Sequence, residues 1–333
     1  MNVTSRVRTG AVVGALALAL GAMAAPAAMA DPAAGDYRTL AGVGSDTTQD
    51  VVNALGNVVV NSSNAKIIAS YDATGSATIN TRAANCGINR PNGSSAGITA
   101  LAADVADTTK DCIDFARSSR GIKTAGTTLT WIPFAKDAVS VAVRTDSAIY
   151  ASGAQNLTTA QLKAIYQCTT TTLNGVTLTP LLPQAGSGTR SFFLEKLGLT
   201  DAQVGSCVDQ TVQENNGVAL NTAGDIAPYS VAQYIAQATG TVTDIHGSTE
   251  LISVNGTAPL TTDDTLNTGF TYTRDVYNVV PTAKITGSTA DATVVATFVG
   301  SASKVCSATS TITNYGFGTL GTACGATTIQ GLN

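Results

Sequence analysis

Through the first half of the chain, short apolar runs alternate with stretches of helical periodicity. That is the pattern of an α/β arrangement with largely parallel strands. Residues 37–43 predict a strand, Ser45 to Gln49 open a helix running to about Val58, and residues 66–71 predict a second strand. A loop rich in Gly, Asn, Ser and Pro, residues 86–95, leads into a helix from Ala96 to about Val105. Residues 112–115 form a short apolar strand ending in Arg117-Ser118-Ser119-Arg120. Residues 129–143 hold two strand-like runs with Lys136-Asp137 between them, and Trp131 and Phe134 there read as core. Leu157-Thr158-Thr159-Ala160-Gln161 marks a helix start, with Leu162, Ile165 and Tyr166 as its apolar face. A further helix is expected from Arg190 to Leu197.

Residues 226–230 read as a crossing strand, followed by a helix through Ala238. Residues 240–266 are polar and turn-rich, without strong periodicity. Residues 272–281 predict another strand, residues 294–299 part of a late helix, and the tail from Cys306 is rich in Gly and Thr. If the chain passes between two domains twice, the crossings fall near residues 135–139 and 226–230.

The first thirty residues stand apart from this pattern. Arg6 and Arg8 precede an apolar run, residues 11–25, too short to span a bilayer comfortably, and Ala28-Met29-Ala30 precedes Asp31. This is the pattern of a cleaved secretory signal. The two arginines are not adjacent, so the twin-arginine route is not indicated, and no cysteine follows the run to serve as a lipoprotein attachment site. The expectation is an exported chain starting near Asp31, extracellular or associated with the cell wall.

The remaining 300 or so residues suffice for two domains with real cores. From Asp31 onward sixteen basic residues face twenty-two acidic ones. That balance argues against nucleic acid and anionic membranes as partners, which call for basic patches. Six cysteines in an exported chain point to disulfides rather than metal. Their spacing suggests sequential pairs, Cys86 with Cys112, Cys168 with Cys207 and Cys306 with Cys324, each worth roughly 3–4 kcal/mol if unstrained. No metal and no cofactor are expected. The single histidine, His246, lies in a Gly/Thr/Asp stretch that reads as a surface loop. A Ser-His-Asp triad could use only that residue, so hydrolysis with Ser187 as nucleophile lacks a credible base.

The chemistry concentrates elsewhere. Ala185-Gly186-Ser187-Gly188-Thr189-Arg190 is a flexible, hydroxyl-bearing loop running into a helix. The first helical N–H groups have no intrahelical partner, and with two hydroxyls and the positive end of the helix dipole they make a site for a small anion. Three further segments repeat the device: Gly42-Val43-Gly44-Ser45-Asp46-Thr47-Thr48, Gly93-Ser94-Ser95-Ala96-Gly97 and Asp114-Phe115-Ala116-Arg117-Ser118-Ser119. Each places hydroxyls and free amides beyond the C-terminal end of a strand or at the start of a helix, and open α/β sheets bind ligands beyond their strand ends. Any one of them alone reads as ordinary capping.

In this order the motifs resemble the phosphate-binding PstS-like branch of the type II periplasmic solute-binding proteins of ABC importers. The resemblance covers most of the chain after Asp31, and its details look most like secreted actinobacterial members. It implies a two-lobed α/β fold, each lobe a mixed, mainly parallel sheet flanked by helices, with two hinge crossings. Residues 31–137 plus 229–333 would form one lobe and residues 138–228 the other. It also implies a monomeric, non-enzymatic protein that captures phosphate or a related oxyanion by lobe closure, with an ABC permease as a partner. The alternative is a secreted binding or adhesion module that keeps the fold but takes another ligand or a protein surface; the missing lipid anchor favours it somewhat.

Carried over motif by motif, the ligand set is Ser45, Asp46 and Thr47; Ser94 and Ser95; Ser118 and Ser119; and Ser187, Gly188 and Thr189. Gly75-Ser76 is a competing match for the second motif, less complete than Gly93 to Gly97. Two positions depart from the family's pattern. Leu182-Pro183-Gln184 stands where an arginine is common, and Ser119 stands where an aspartate accepts the ligand's proton. Arg117 and Arg190 are the expected replacements for the positive charge. Asp46 is the expected proton acceptor, with helix capping as its alternative role.

Overall fold

The computed structural model describes residues 31–151 and 155–333, so the expected leader lies outside the described residues. The strand Ala125–Arg144 organises everything else. It is twenty residues long and, from Leu129 to Val143, buried except at Lys136, because its two halves serve different cores. Around its first half, Leu129, Ile132 and Phe134 pack with residues of the first lobe; around its second half, Val139, Val141 and Val143 pack with Leu162, Phe193 and Ile226. The two runs expected around Lys136-Asp137 are therefore one continuous strand. The two charged residues mark where it passes from one lobe to the other.

The first-lobe half of the sheet runs Ile68–Ser70, Leu40–Gly44, Phe115–Ser118, Thr273–Pro281 and then the long strand. The first three are parallel, and Thr273–Pro281 is antiparallel to its neighbours on both sides. Both faces are covered, one by Leu55, Val294 and Phe298, the other by Ile98 and Leu101. This explains why these strands read as unbroken apolar runs. The second-lobe half runs Asp209–Val212, Thr179–Pro183 and Asp225–Ser230 in parallel, with Asp225–Ser230 antiparallel to the long strand. The architecture is the expected mixed α/β fold in two lobes.

Three differences from the sequence reading have physical causes. The stretch 240–266 contains a strand, Thr249–Val254, pairing residues 249–252 with residues 141–144 of the long strand. Its Ile252 and Val254, with Leu266, Phe270 and Tyr272, pack in the second-lobe cluster, so this stretch sides with that core although 229–333 was expected in the first lobe. The chain consequently returns from the second-lobe core to the first between Tyr272 and Val276, beyond the return expected near residues 226–230. Finally, the strand expected at 112–115 lies at Phe115–Ser118, which puts Arg117 inside a strand and on the same face as Phe115.

All three disulfides join the cysteines in sequence order: Cys86–Cys112, Cys168–Cys207 and Cys306–Cys324. The helix expected from Leu157-Thr158-Thr159-Ala160-Gln161 lies at Thr159–Tyr166 and starts with a capping box, Thr158 and Gln161 bonding each other's backbone N–H.

Candidate functional site

The four anion motifs converge. Leu40–Gly44 delivers Ser45, Asp46 and Thr47; Phe115–Ser118 delivers Ser119; the helix Ser94–Ala106 starts with Ser94; and Thr179–Pro183 leads through Ser187 into the helix Gly188–Leu197. Each parallel strand contributes from its carboxyl end, as open α/β sheets do. Two glycines allow the close approach in the first lobe. A Cβ on Gly97 would lie 2.5 Å from Gly44 Cα, so the Ser94 helix can press against the end of the Ser45 strand.

Ser45, Thr47, Ser94, Ser119, Ser187 and Thr189 are all fully buried. Ser119 Oγ is 3.2 Å from Ser45 Oγ and 3.3 Å from Ser94 Oγ, and the Ser119 amide donates to Ser94 Oγ at 3.0 Å. Across the cleft, a Cβ on Gly188 would lie 2.2 Å from Ser119 Oγ and 2.3 Å from Ser94 Oγ. Only glycine lets the second-lobe helix start come this close. Thr47 Oγ1 and Thr189 Oγ1 are 3.2 Å apart, so hydroxyls from opposite lobes touch directly.

Several expected ligand residues are engaged elsewhere. The Arg117 guanidinium bonds the carbonyls of Gly42, Gly44 and Ser45 and Ser70 Oγ. Burial pulls its pKa down to about 10, which leaves it charged at neutral pH. Bonded to three carbonyls of that segment, it shapes the Ser45 loop rather than joining the hydroxyls. Arg190 is turned to Asp201, Gln210 and the Pro183 carbonyl. Ser118 Oγ bonds the backbone of Arg120, and Ser95 Oγ accepts from Arg120 Nε at 3.0 Å. Ser187 Oγ accepts the Arg190 amide at 3.0 Å as the helix N-cap. Ser76, the competing candidate, bonds the Thr78 carbonyl and Arg90.

The positive charge comes instead from Arg274, which the sequence reading missed. Arg274 and Asp137 are cross-strand partners, 2% and 0% exposed, with Nη2–Oδ2 at 2.7 Å and Nε–Oδ2 at 3.0 Å. Arg274 Nη2 also donates to Thr189 Oγ1 at 2.9 Å. Its Nη1 is buried with no hydrogen-bond partner among the described residues. Asp137 in turn accepts from Ser230 Oγ and the Ala232 amide, so one carboxylate ties the long strand to the end of Asp225–Ser230 and to Thr273–Pro281. A signal was present in the sequence. Lys136-Asp137 and Arg274-Asp275 interrupt apolar strand runs with opposite charges, and the strands pair Lys136 with Asp275 and Asp137 with Arg274.

The second missed residue is Glu214, which follows the short strand Asp209–Val212. Its carboxylate is 1% exposed; Oε1 accepts from Thr47 Oγ1 at 2.8 Å and from the Thr189 amide at 3.0 Å. Oε2 is buried and has no partner among the described residues. The sequence Asp-Gln-Thr-Val is polar and short, which is why this strand and the residues after it went unread.

Asp46 neither caps its helix nor joins the hydroxyls. Its carboxylate accepts from Asn215 Nδ2 at 3.0 Å and Gln213 Nε2 at 3.1 Å. Burial, reinforced by the charge of Glu214, pushes its pKa up to about 8. It borders a small cavity of about 130 Å³ with Asp50, Asp72 and Gln233. Burial also raises Asp50, to about 6.

His246 pairs with Asp244 and meets the Tyr234 ring edge-on. Among the described residues no group of His, Cys, Asp and Glu could hold a metal ion.

With this geometry in view, the comparisons are specific. Residues 29–302 match the family model PBP_like_2, the PBP superfamily domain. No curated protein matches the chain. Among solved structures, it is similar to a protein from Clostridium perfringens assigned as a phosphate ABC transporter substrate-binding protein, with bound phosphate. The identity is 16%, the TM-score 0.58, and the match covers 84% of this chain and 99% of that one. It is also similar to an ABC-type phosphate transport receptor from Vibrio cholerae, at 19% identity and TM-score 0.57, with the same shares of each chain covered. At these identities the structural likenesses speak for the fold, while the match of most of the chain to the family model settles membership: this chain belongs to the PBP superfamily.

Proposed function

We propose that the chain is an exported solute-binding protein that captures phosphate or a related tetrahedral oxyanion between its lobes, without chemistry. The observation that carries this reading is the seat of the Glu214 carboxylate. An oxyanion group already sits on a Thr47 hydroxyl from one lobe and the Thr189 amide from the other, at a helix N-terminus beside Arg274. The Ser94 and Ser119 hydroxyls lie against the same helix start, with Ser45 Oγ bonded to Ser119, and add neutral donors. Hydroxyl and amide donors suit a small, compact anion, and Arg274 Nη1, buried without a partner among the described residues, supplies one charged donor where the sequence lacks the usual arginine. The similar structures assigned as phosphate transport proteins support the same ligand class.

The ligand set in this reading is Ser45, Thr47, Ser94, Ser119, Gly188, Thr189 and Arg274. Arg117, Ser118 and Arg190 hold the loops that present them. Ser187 acts through its backbone and as a cap, which leaves no activated nucleophile. The lobes would move about the crossings that Asp137, Ser230 and Arg274 bind together, and an ABC permease would receive the ligand.

Calorimetry on chain starting at Asp31, unfolded and refolded to strip carried-over ligand, tests this directly. Phosphate is expected to bind with micromolar or tighter affinity, sulfate far more weakly, and the Thr47→Ala, Thr189→Ala double variant not at all. No heat with phosphate, sulfate or molybdate would overturn the reading and turn the search to organic solutes or a protein surface.

A further inference from the structure

The three residues after the Asp209–Val212 strand form a continuous bridge to the first lobe. Gln213 Nε2 donates to Asp46, and its Oε1 accepts from Asn92 Nδ2 at 3.0 Å. Asn215 Nδ2 donates to Asp46 Oδ1 at 3.0 Å and Thr47 Oγ1 at 3.2 Å. Glu214, between them, takes the Thr47 hydroxyl and the Thr189 amide. The backbone of this segment is pinned: the Asn215 carbonyl accepts from Tyr229 Oη and Gln237 Nε2, and the Glu214 amide donates to Gln184 Oε1. The Glu214 side chain is therefore the part free to change partners.

We propose that Glu214 is a built-in competitor for the captured anion, exchanged for it at Thr47 and Thr189. This rests on the reading of the cleft as an oxyanion site. Two anionic groups cannot share one buried pair of donors, because their repulsion grows as water is excluded. The exchange is favoured by what the carboxylate leaves undone. Its Oε2 and the Arg274 Nη1 are both buried without partners, and no ion pair joins Glu214 to Arg274 among the described residues. A tetrahedral anion has four oxygens and reaches donors on several sides, so it satisfies groups that a planar carboxylate cannot.

The consequence is a set-point on affinity. While Glu214 holds the donors, only the fraction of molecules with its side chain withdrawn can bind, and the apparent affinity falls by that fraction. Gln213 and Asn215 keep the lobes bridged through Asp46 whichever anion is seated. Glu214 thus sets how much free anion is needed to load the protein, and it speeds release by offering a replacement as the anion leaves.

The test measures phosphate affinity by calorimetry for the refolded chain and for Glu214→Ala and Glu214→Gln, with melting curves to confirm folding. Both variants are expected to bind phosphate more tightly than the parent, by about tenfold or more for alanine and less for glutamine, which keeps an acceptor on Thr47 but loses the charge. Unchanged or weaker binding by both folded variants, with the parent binding normally, overturns the proposal and leaves phosphate capture standing; it would make Glu214 a ligand contact instead. If neither parent nor variants bind phosphate, the underlying reading fails and the proposal with it.

Discussion

Ser45 and Asp46 are neighbours in sequence and face opposite environments. Ser45 looks into a cluster of neutral hydroxyls, with Ser119 at 3.2 Å and the Gly188 helix start behind it. Asp46 looks into an acidic cavity with Asp50 and Asp72, served by the side-chain amides of Gln213, Asn215 and Gln233. One side is rich in donors and short of charge, the other rich in carboxylates. An anion is drawn to the first and repelled by the second, so a single strand end both builds the site and fences it. Asp46 also shows that a carboxylate beside an anion site need not touch the ligand. Its raised pKa follows from burial and from Glu214, and its partners belong to the inter-lobe bridge.

The most damaging way to break the donor side is Arg274→Ala. It strands Asp137 as a buried carboxylate where the long strand, Asp225–Ser230 and Thr273–Pro281 meet, and losing one partner of such a pair typically costs about 3–5 kcal/mol. Chemical denaturation should show that loss, and phosphate binding should disappear with it; a variant of parental stability would mean Asp137 is satisfied by Ser230 and Ala232 alone. Gly188→Ala comes next. Its methyl would collide with Ser94 and Ser119 across the cleft, and overpacking of this kind costs about 1–3 kcal/mol, here charged to lobe approach. Phosphate affinity should fall by about 10- to 100-fold in calorimetry, with the helix content unchanged.

The acidic side is tested by pH. A carboxyl whose folded pKa lies above its unfolded value keeps its proton on folding, so unfolding releases it. Stability should therefore decline as pH rises from about 4 towards the folded value of about 8 for Asp46, by up to about 1.4 kcal/mol per pH unit. Asp46→Asn should flatten that slope in denaturation series between pH 4 and 8, leaving a shallower one from Asp50, which ends near pH 6. An unchanged slope would show that Asp46 is ionised in the folded protein.

Arg190→Ala should have the smallest effect on function. Arg190 binds Asp201, Gln210 and Pro183 away from the cleft, so its loss should cost stability while leaving phosphate affinity within about twofold. A larger fall in affinity would return Arg190 to the ligand set.

These contrasts also show what could be read along the chain. Strand ends followed by Gly and Ser located Ser45, Ser94, Ser119 and Thr189, because free amides and hydroxyls at those places are a local property of sequence. The disulfides were legible for the same reason. Arg117 and Arg190 misled because a motif says which residue is present, not which way a strand or helix turns it; the strand lies three residues later than expected and holds Arg117 on the Phe115 face. Arg274 and Glu214 lie 85 and 25 positions from Thr189 and meet it only through sheet order. Their pairing needs the register of Thr273–Pro281 against the long strand, which no local pattern contains. The strand Thr249–Val254 was lost among turns because only its pairing, not its composition, makes it a strand.

The central claim is that an oxyanion is held between the lobes on the Thr47 and Thr189 donors. A crystal structure of the chain from Asp31, grown with phosphate, tests it most directly. The account predicts tetrahedral density bonded to Thr47 Oγ1, the Gly188 and Thr189 amides and Arg274, with the Glu214 carboxylate withdrawn. Phosphate density elsewhere, or none, with Glu214 still bonded to Thr47 and Thr189, would contradict it.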